Sequence, residues 1–485
     1  MRARLLKVPV QSRPEDLHVA LGCRDRGVAG RDHVSYIVSL VLPVLALLFG
    51  IALLVALSIF FDLAFFREPL LPDKMEGFDW SIRFAWLLGG IGVSLLLIVL
   101  SSLTININRF SLHALYRNRL VRAFLGASRG RLRVPDPFTG FDQADNPEFA
   151  RSRLLCGPDG WRPFHVINIA LNIVSTDDHL AWQERKAASF TATPLHTGSS
   201  LVGYRRTVEY GGPLSLGTAM AISGAAASPN MGYHSSPAIT FLMTLFNVRL
   251  GWWFGNPGPA GEHTYRKEGP LFALKPLVQE AFGLTTADKA YVYLSDGGHF
   301  ENLGLYEMIR RRCRFILVSD AGCDPRFKFA DLADAVRKIA IDLGVSIRFY
   351  GLEKLRPRPE GGADVGVDQP YHSVGEIDYQ SVDGSDTKNG IILYVKAAYH
   401  GVEGAGIRGY AQANPEFPHQ STIDQWFTES QFESYRALGF EILDGILNKA
   451  LAEPECRGTP DLEKILGTLQ KLMIKESNTC QSFWS

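Results

Sequence analysis

Tyr291-Val-Tyr-Leu-Ser-Asp-Gly-Gly-His-Phe-Glu-Asn-Leu-Gly304 is the stretch on which the reading of this chain turns. It opens with an apolar run that reads as a buried strand and ends where a helix can begin. Asp296 therefore falls at the carboxyl end of a strand, where open α/β sheets gather ligands and catalytic groups. Gly297 and Gly298 follow at once and let the backbone turn sharply without a Cβ clash. A second reading of the same residues is an acidic turn that caps the helix beginning near Glu301, since Asp is favoured at such positions.

Working outward, residues 290–294 read as a strand, 302–312 as a helix and 314–319 as a second strand. Near-continuous apolar strands around a short helix predict parallel pairing with both faces buried, and a right-handed crossover. The second strand also ends in an acid and a glycine, Asp320-Ala-Gly322. Residues 330–343 read as a helix with Leu332, Val336, Ile339 and Leu343 on one face, stopped by Gly344. Strands are expected at 346–350 and 391–398, and an earlier one within 164–174. Residues 218–227 are small and suit a tightly packed element, while 239–250 and 271–282 read as helices. Ser421-Thr-Ile-Asp424 has a capping-box pattern ahead of a long helix. Two Gly- and Asp-containing stretches, 356–369 and 382–390, read as loops. The expected fold class is α/β, a domain over 163–450 followed by a helical tail at 451–485.

Upstream, Val34 to Phe61 and Phe84 to Asn108 carry no charged residue. Each exceeds the roughly 20 residues that cross a hydrocarbon core of about 30 Å. They predict a two-helix transmembrane hairpin over 34–108, with spans at about 34–61 and 84–106. Arginines and lysines cluster in the amino-terminal segment 1–33 and again in a basic linker, 109–162. The loop between the spans instead balances Arg67, Lys74 and Arg83 with five acids. Basic excess marks the cytoplasmic side, so the expectation is an integral membrane protein, in a bacterial inner membrane, with its soluble domain in the cytoplasm. Leu112, Leu115, Leu120 and Phe124 within the basic segment suit a helix lying on an anionic leaflet.

The 485 residues carry 50 basic and 50 acidic side chains, so formal net charge is zero. With no basic patch interleaved with aromatics, nucleic acid is not an expected partner. Six cysteines lie scattered with no C-x-x-C pair and read as reduced thiols. The 12 histidines form no H-E-x-x-H spacing and no calcium loop is present, so neither a metal nor a cofactor is expected.

Strand–Ser295-Asp-Gly-Gly298–x–x–Glu301-Asn302 resembles the aspartate block of patatin-like and cytosolic phospholipase-type acyl hydrolases. Further segments are similar to bacterial membrane-associated patatin-like phospholipases: Thr193-Pro-Leu-His-Thr-Gly198, Gly203-Tyr-Arg-Arg206, Gly217-Thr-Ala-Met-Ala-Ile-Ser-Gly224 and Ser228-Pro-Asn-Met-Gly-Tyr-His-Ser-Ser236. Phe417-Pro-His-Gln-Ser421 and Gln425-Trp-Phe-Thr-Glu-Ser-Gln-Phe-Glu-Ser-Tyr-Arg436 extend the likeness. The resemblance implies the carboxy-terminal half of such a protein, a partial patatin-like three-layer sheet with a parallel βαβ core. It also implies hydrolysis of membrane lipid esters by a Ser–Asp dyad. Asp296 would be the dyad's acid, flanked by an active-site loop of Gly297, Gly298, His299 and Asn302. The family's dyad works without a histidine, so His299 is expected to shape the pocket.

Ester hydrolysis also needs a nucleophile on a strand-to-helix elbow and donors for the oxyanion. Gly126-Ala-Ser128-Arg-Gly130 matches G-x-S-x-G, but a basic helical stretch precedes it in place of an apolar strand. Gly404-Ala-Gly406-Ile-Arg-Gly409 follows a strand, yet the residues up to Pro415 and Pro418 show no amphipathic helix whose N-terminus could hold an anion. Ser223, in Ala221-Ile-Ser223-Gly, is the remaining candidate nucleophile; it also matches the family's packed small-residue block. By the resemblance, the Gly-rich loop and the nucleophilic serine belong to a preceding half. The expected partner is therefore a separately encoded polypeptide carrying them, besides membrane lipid. The alternative is a non-catalytic membrane-bound fragment or scaffold of the same family.

Overall fold

The computed structural model describes residues 48, 52, 55–60, 80–151, 164–175, 185–231, 237–359, 369–421 and 427–481. They divide into two compact units, one ending at Phe300 and the other starting at Glu301. The division falls inside the Tyr291–Gly304 stretch.

The first unit is built on a six-stranded sheet. Its strands are β1 (Ile167–Asn172), β2 (Ala187–Ala192), β3 (His196–Ser199), β4 (Gly203–Arg206), β5 (Trp252–Gly255) and β6 (Tyr291–Asp296). Their order is β4-β3-β2-β1-β6-β5. Every pairing is antiparallel, with Ile169 opposite Asp296 and Trp252 opposite Leu294. The alternation along β6 explains its apolar continuity. Val292 and Leu294 enter a core with Phe190, Tyr210, Trp252 and Phe254. Tyr293 points the other way and joins Ile107, Trp253 and Ala273. On that second side the fully buried pair Arg249 and Glu280 is held further by Trp253, whose indole donates to Glu280 at 2.5 Å.

Among the described residues, the helices of eight residues or more in this unit are α1 (Trp80–Thr104), α2 (His113–Leu120), α3 (Leu216–Ser223), α4 (Pro237–Leu245) and α5 (Leu274–Ala281). The small-residue block is α3. Ser215 caps it by accepting the Thr218 amide, and the helix packs against β1 and β6, while Gly217 lets Val121 and Asn146 approach it closely.

The second unit holds a four-stranded sheet ordered β7-β10-β9-β8: β7 (Phe315–Asp320), β8 (Ser346–Tyr350), β9 (His372–Asp378) and β10 (Gly390–Lys396). Only β7 and β10 pair in parallel; β9 is antiparallel to both its neighbours. Its helices are α6 (Leu305–Arg310), α7 (Ala330–Leu343), α8 (Ala405–Ala413), α9 (Glu429–Leu451) and α10 (Leu462–Gln481). Gly304 takes a left-handed φ of 69° just before α6, a conformation a side chain would strain. One face of the sheet packs on α6 and α7 through Ile309, Leu332, Ala335 and Ile339. The other packs on α8, α9 and α10 through Ile407, Leu438, Ile442 and Leu469.

Four sequence expectations are corrected. The parallel βαβ core is absent, because β6 and β7 belong to different sheets and β6 has antiparallel neighbours on both sides. Apolar continuity reports burial on two faces and carries no information about strand direction. The two-helix transmembrane hairpin and the integral-membrane placement are also overturned: among the described residues no helix is long and apolar enough to cross a membrane. The first expected span lies mostly outside the described residues. The second falls on α1, Trp80–Thr104.

The long C-terminal helix does not start at the capping-box pattern, whose residues 422–424 lie outside the described set; Thr428 caps α9 by accepting the Gln431 amide. Finally, Cys313 and Cys456 are free thiols, but Cys323 is disulfide-bonded. The basic segment after α1 spends several charges internally. Arg129 bridges Asp142 and Asp145 at 2.7 Å each, and Arg133 reaches Asp145 at 2.9 Å.

Candidate functional site

Asp296 is the last residue of β6, and its Oδ1 accepts the Gly298 amide at 2.7 Å across a single 3₁₀ turn, Gly297–His299. The two glycines are required sterically as well as conformationally. A Cβ on Gly297 would stand 2.8 Å from the Asn168 carbonyl oxygen of β1. The turn therefore presses its backbone onto the neighbouring strand and leaves the carboxyl partly shielded from water.

Among the described residues no cation compensates that shielding. Burial raises the Asp296 carboxyl from the ordinary aspartate value to about 6, opposed only by the Gly298 amide. Its second oxygen, Oδ2, has no hydrogen-bond partner among the described residues. A carboxylate poised near neutrality with a free acceptor atom can take a proton from a hydroxyl and give it back. The capping role falls elsewhere: Glu301 accepts the Leu303 and Tyr306 amides at 2.5 and 3.0 Å at the start of α6.

The expected loop does not act as one group. His299 belongs to the Asp296 turn, and its ring orientation is fixed. The Asn172 amide donates to the buried Ser295 hydroxyl at 2.7 Å, and that hydroxyl lies 2.7 Å from His299 Nδ1. The Ser295 hydroxyl thus links Asn172 to His299, with either its oxygen or Nδ1 able to supply the proton between them. The His299 Nδ1 is occupied by that contact. Asn302 lies in the second unit, where its amide donates to Asp331 at 2.9 Å.

Ser223 ends α3 beside the same turn. Its hydroxyl donates to the Asn168 carbonyl at 2.7 Å, the very oxygen that Gly297 abuts. It makes no hydrogen bond to Asp296. Ser128 lies in a short helical turn, exposed, with its hydroxyl on the Leu125 carbonyl at 2.7 Å, so no elbow forms there. Gly404-Ala-Gly406-Ile-Arg-Gly409 does open a helix, α8, contrary to the expectation of none; Ile407 and Ala411 bury one face and outweigh the glycines. Its N-terminus is nevertheless taken: the Gly404 amide donates to Glu441 Oε2 of α9 at 3.0 Å.

Two neighbours of Asp296 have no signature in the sequence. Asn168 has a buried side-chain oxygen with no hydrogen-bond partner. Tyr116, on α2, stands close enough for the Asp296 charge to raise its phenol, after the larger effect of burial. Its position 180 residues upstream, in a segment dominated by arginines, gave no spacing to read.

Among the described residues no group of His, Cys, Asp and Glu is arranged to hold a metal ion. Comparison with family models, curated proteins and solved structures finds no match. The patatin-like resemblance therefore rests on the quoted motifs.

Proposed function

We propose that the chain supplies the acidic member of a Ser–Asp acyl hydrolase site acting on lipid esters. The observation that carries this reading is Asp296 itself: a strand-end carboxylate turned by two glycines, held by one amide, shielded, and without a cation. In the reaction, Asp296 accepts the serine Oγ proton as that oxygen bonds to the ester carbonyl carbon. The proton passes to the departing alkoxide when the ester bond breaks. Water then releases the acyl group, with the same carboxylate again receiving and returning the proton. A carboxyl near 6 is largely ionised at neutral pH and still basic enough for the transfer.

The nucleophile is assigned to a separately encoded polypeptide carrying the Gly-rich loop and a G-x-S-x-G serine. What supports this is the commitment of Ser223 to Asn168, together with the absence of any serine hydroxyl bonded to Asp296 among the described residues. The same observation favours a second reading, a non-catalytic binding or scaffold protein.

Fluorophosphonate labelling with peptide mapping separates the two. The chain alone is expected to remain unlabelled; co-expressed with such a partner, the partner's serine labels, and Asp296→Asn abolishes labelling. Absence of labelling and of short-chain ester hydrolysis in the co-expressed pair would establish the scaffold reading. A labelled Ser223 in the isolated chain would overturn the assignment of the nucleophile to a partner.

A further inference from the structure

The surroundings of Asp296 contain a hydroxyl that the dyad chemistry does not use. Helix α2 packs on α3, and α3 packs on β6 and on the Gly297–His299 turn. Tyr116 extends from α2 to the end of α3, where a Cβ built on Gly224 would stand 2.5 Å from the phenol oxygen. Gly224 directly follows Ser223, whose hydroxyl is bonded to the Asn168 carbonyl; that carbonyl abuts Gly297, and Gly297 adjoins Asp296. This series of contacts places the Tyr116 hydroxyl near the turn, within electrostatic reach of the Asp296 charge.

Neither group is satisfied. The Tyr116 hydroxyl has no hydrogen-bond partner among the described residues, and neither does Asp296 Oδ2. The two do not bond each other. Both side chains are half-buried, yet neither oxygen is sealed from solvent, so a ligand can reach each of them. Burial and the neighbouring Asp296 charge keep the phenol protonated. The protonated phenol can donate, and the ionised carboxylate can only accept.

We propose that Tyr116 and Asp296 form a paired donor–acceptor site for an acyl group: the phenol donates to the carbonyl oxygen of an ester or amide, and the carboxylate accepts from the O–H or N–H on its other side. Gly224 keeps the space in which the phenol stands. This deepens the hydrolase reading, on which it rests for the ester substrate, by naming a second substrate contact. Tyr116 thereby stabilises negative charge growing on the carbonyl oxygen as the hydroxyl proton moves to Asp296. The phenol keeps its own proton throughout, so no further co-reactant enters.

Hexanamide is the probe, because it offers a carbonyl acceptor and N–H donors and needs no nucleophile. Titration of the full chain followed by saturation-transfer NMR is expected to show saturable binding. Tyr116→Phe should weaken it about fivefold to tenfold, the share of one neutral hydrogen bond. Gly224→Ala tests the geometry from the other side. The φ of −102° at Gly224 accepts an alanine, whose methyl would displace the phenol oxygen and weaken binding similarly. Unchanged circular dichroism in both variants shows that the fold persists. Affinity at the parental level in both, or no saturable binding by the parent, overturns the proposal. The labelling experiment tests Asp296 and the partner's serine, so Asp296 dependence there with indifference to Tyr116→Phe and Gly224→Ala here removes the Tyr116 site and leaves the hydrolase reading in place.

Discussion

Asp296 and Asp320 are written almost identically and end in opposite circumstances. Each follows an apolar strand and a serine, Leu-Ser-Asp-Gly-Gly in one case and Val-Ser-Asp-Ala-Gly in the other. Each accepts the amide two residues on, at 2.7 Å from Gly298 and 2.8 Å from Gly322. Beyond that turn they diverge. Asp320 Oδ2 receives the Tyr394 hydroxyl at 2.5 Å and the Lys396 ammonium at 3.0 Å, both from β10, its parallel neighbour. Asp296 has β1 and β5 flanking its strand and receives neither a cation nor a hydroxyl. One aspartate is a completed structural bond; the other is an acid with an oxygen to spare. The turn motif sets the backbone, and the neighbouring strand decides the chemistry.

Removing the cation is the strongest way to break the contrast. Lys396→Met leaves Asp320 buried and unpaired, and should cost about 3–5 kcal/mol. The loss is read as hydrogen-exchange protection in peptides covering β7 and β10.

Neutralising the acids should separate them by sign. Asp320→Asn strands Lys396 and destabilises. Asp296→Asn removes a charge that the fold shields without compensating, and should stabilise by about 2 kcal/mol at pH 8. The folded carboxyl binds its proton more tightly than the unfolded one. That contribution is complete below the unfolded value of 3.8 and is lost as pH rises through about 6. Urea midpoints of parent and variant should therefore coincide near pH 3.5 and separate between pH 4 and 7. Loss of stability on Asp296→Asn at pH 8 would mean that the carboxylate has a partner after all.

The preceding serines sharpen the contrast with a smaller effect. Ser295 is buried between Asn172 and His299, so Ser295→Ala should cost about 1–2 kcal/mol. Ser319 is exposed, and Ser319→Ala should stay within about 0.5 kcal/mol. Thermal midpoints of the two variants, measured together, test the difference.

The sequence carried local structure better than partnership. The helix at 330–343 and the strand at 346–350 fall where periodicity and Gly344 set them, because their signals lie within a few residues. The turn at Gly297-Gly298 was equally legible. Strands β2, β3, β4, β5 and β9 were missed: β3, β4 and β5 are only 4 residues long, and β2 and β9 carry polar residues that blur their alternation. Strand direction was misjudged for β6, since burial on two faces is common to parallel strands and to a central antiparallel one. At the site, Asp296 could be found from its glycines, but Tyr116 and Asn168 could not. They meet the turn through helix and strand packing, which leaves no trace in spacing.

The carboxylate of Glu441 on the Gly404 amide has a consequence for how this surface changes under mutation. Residues 404–409 carry the glycine pattern of a phosphate loop and begin a helix of 9 residues, so the backbone is already shaped for an anion. The chain occupies that position with its own side chain. Replacing Glu441 would leave the Gly404 amide without that partner at the start of the helix.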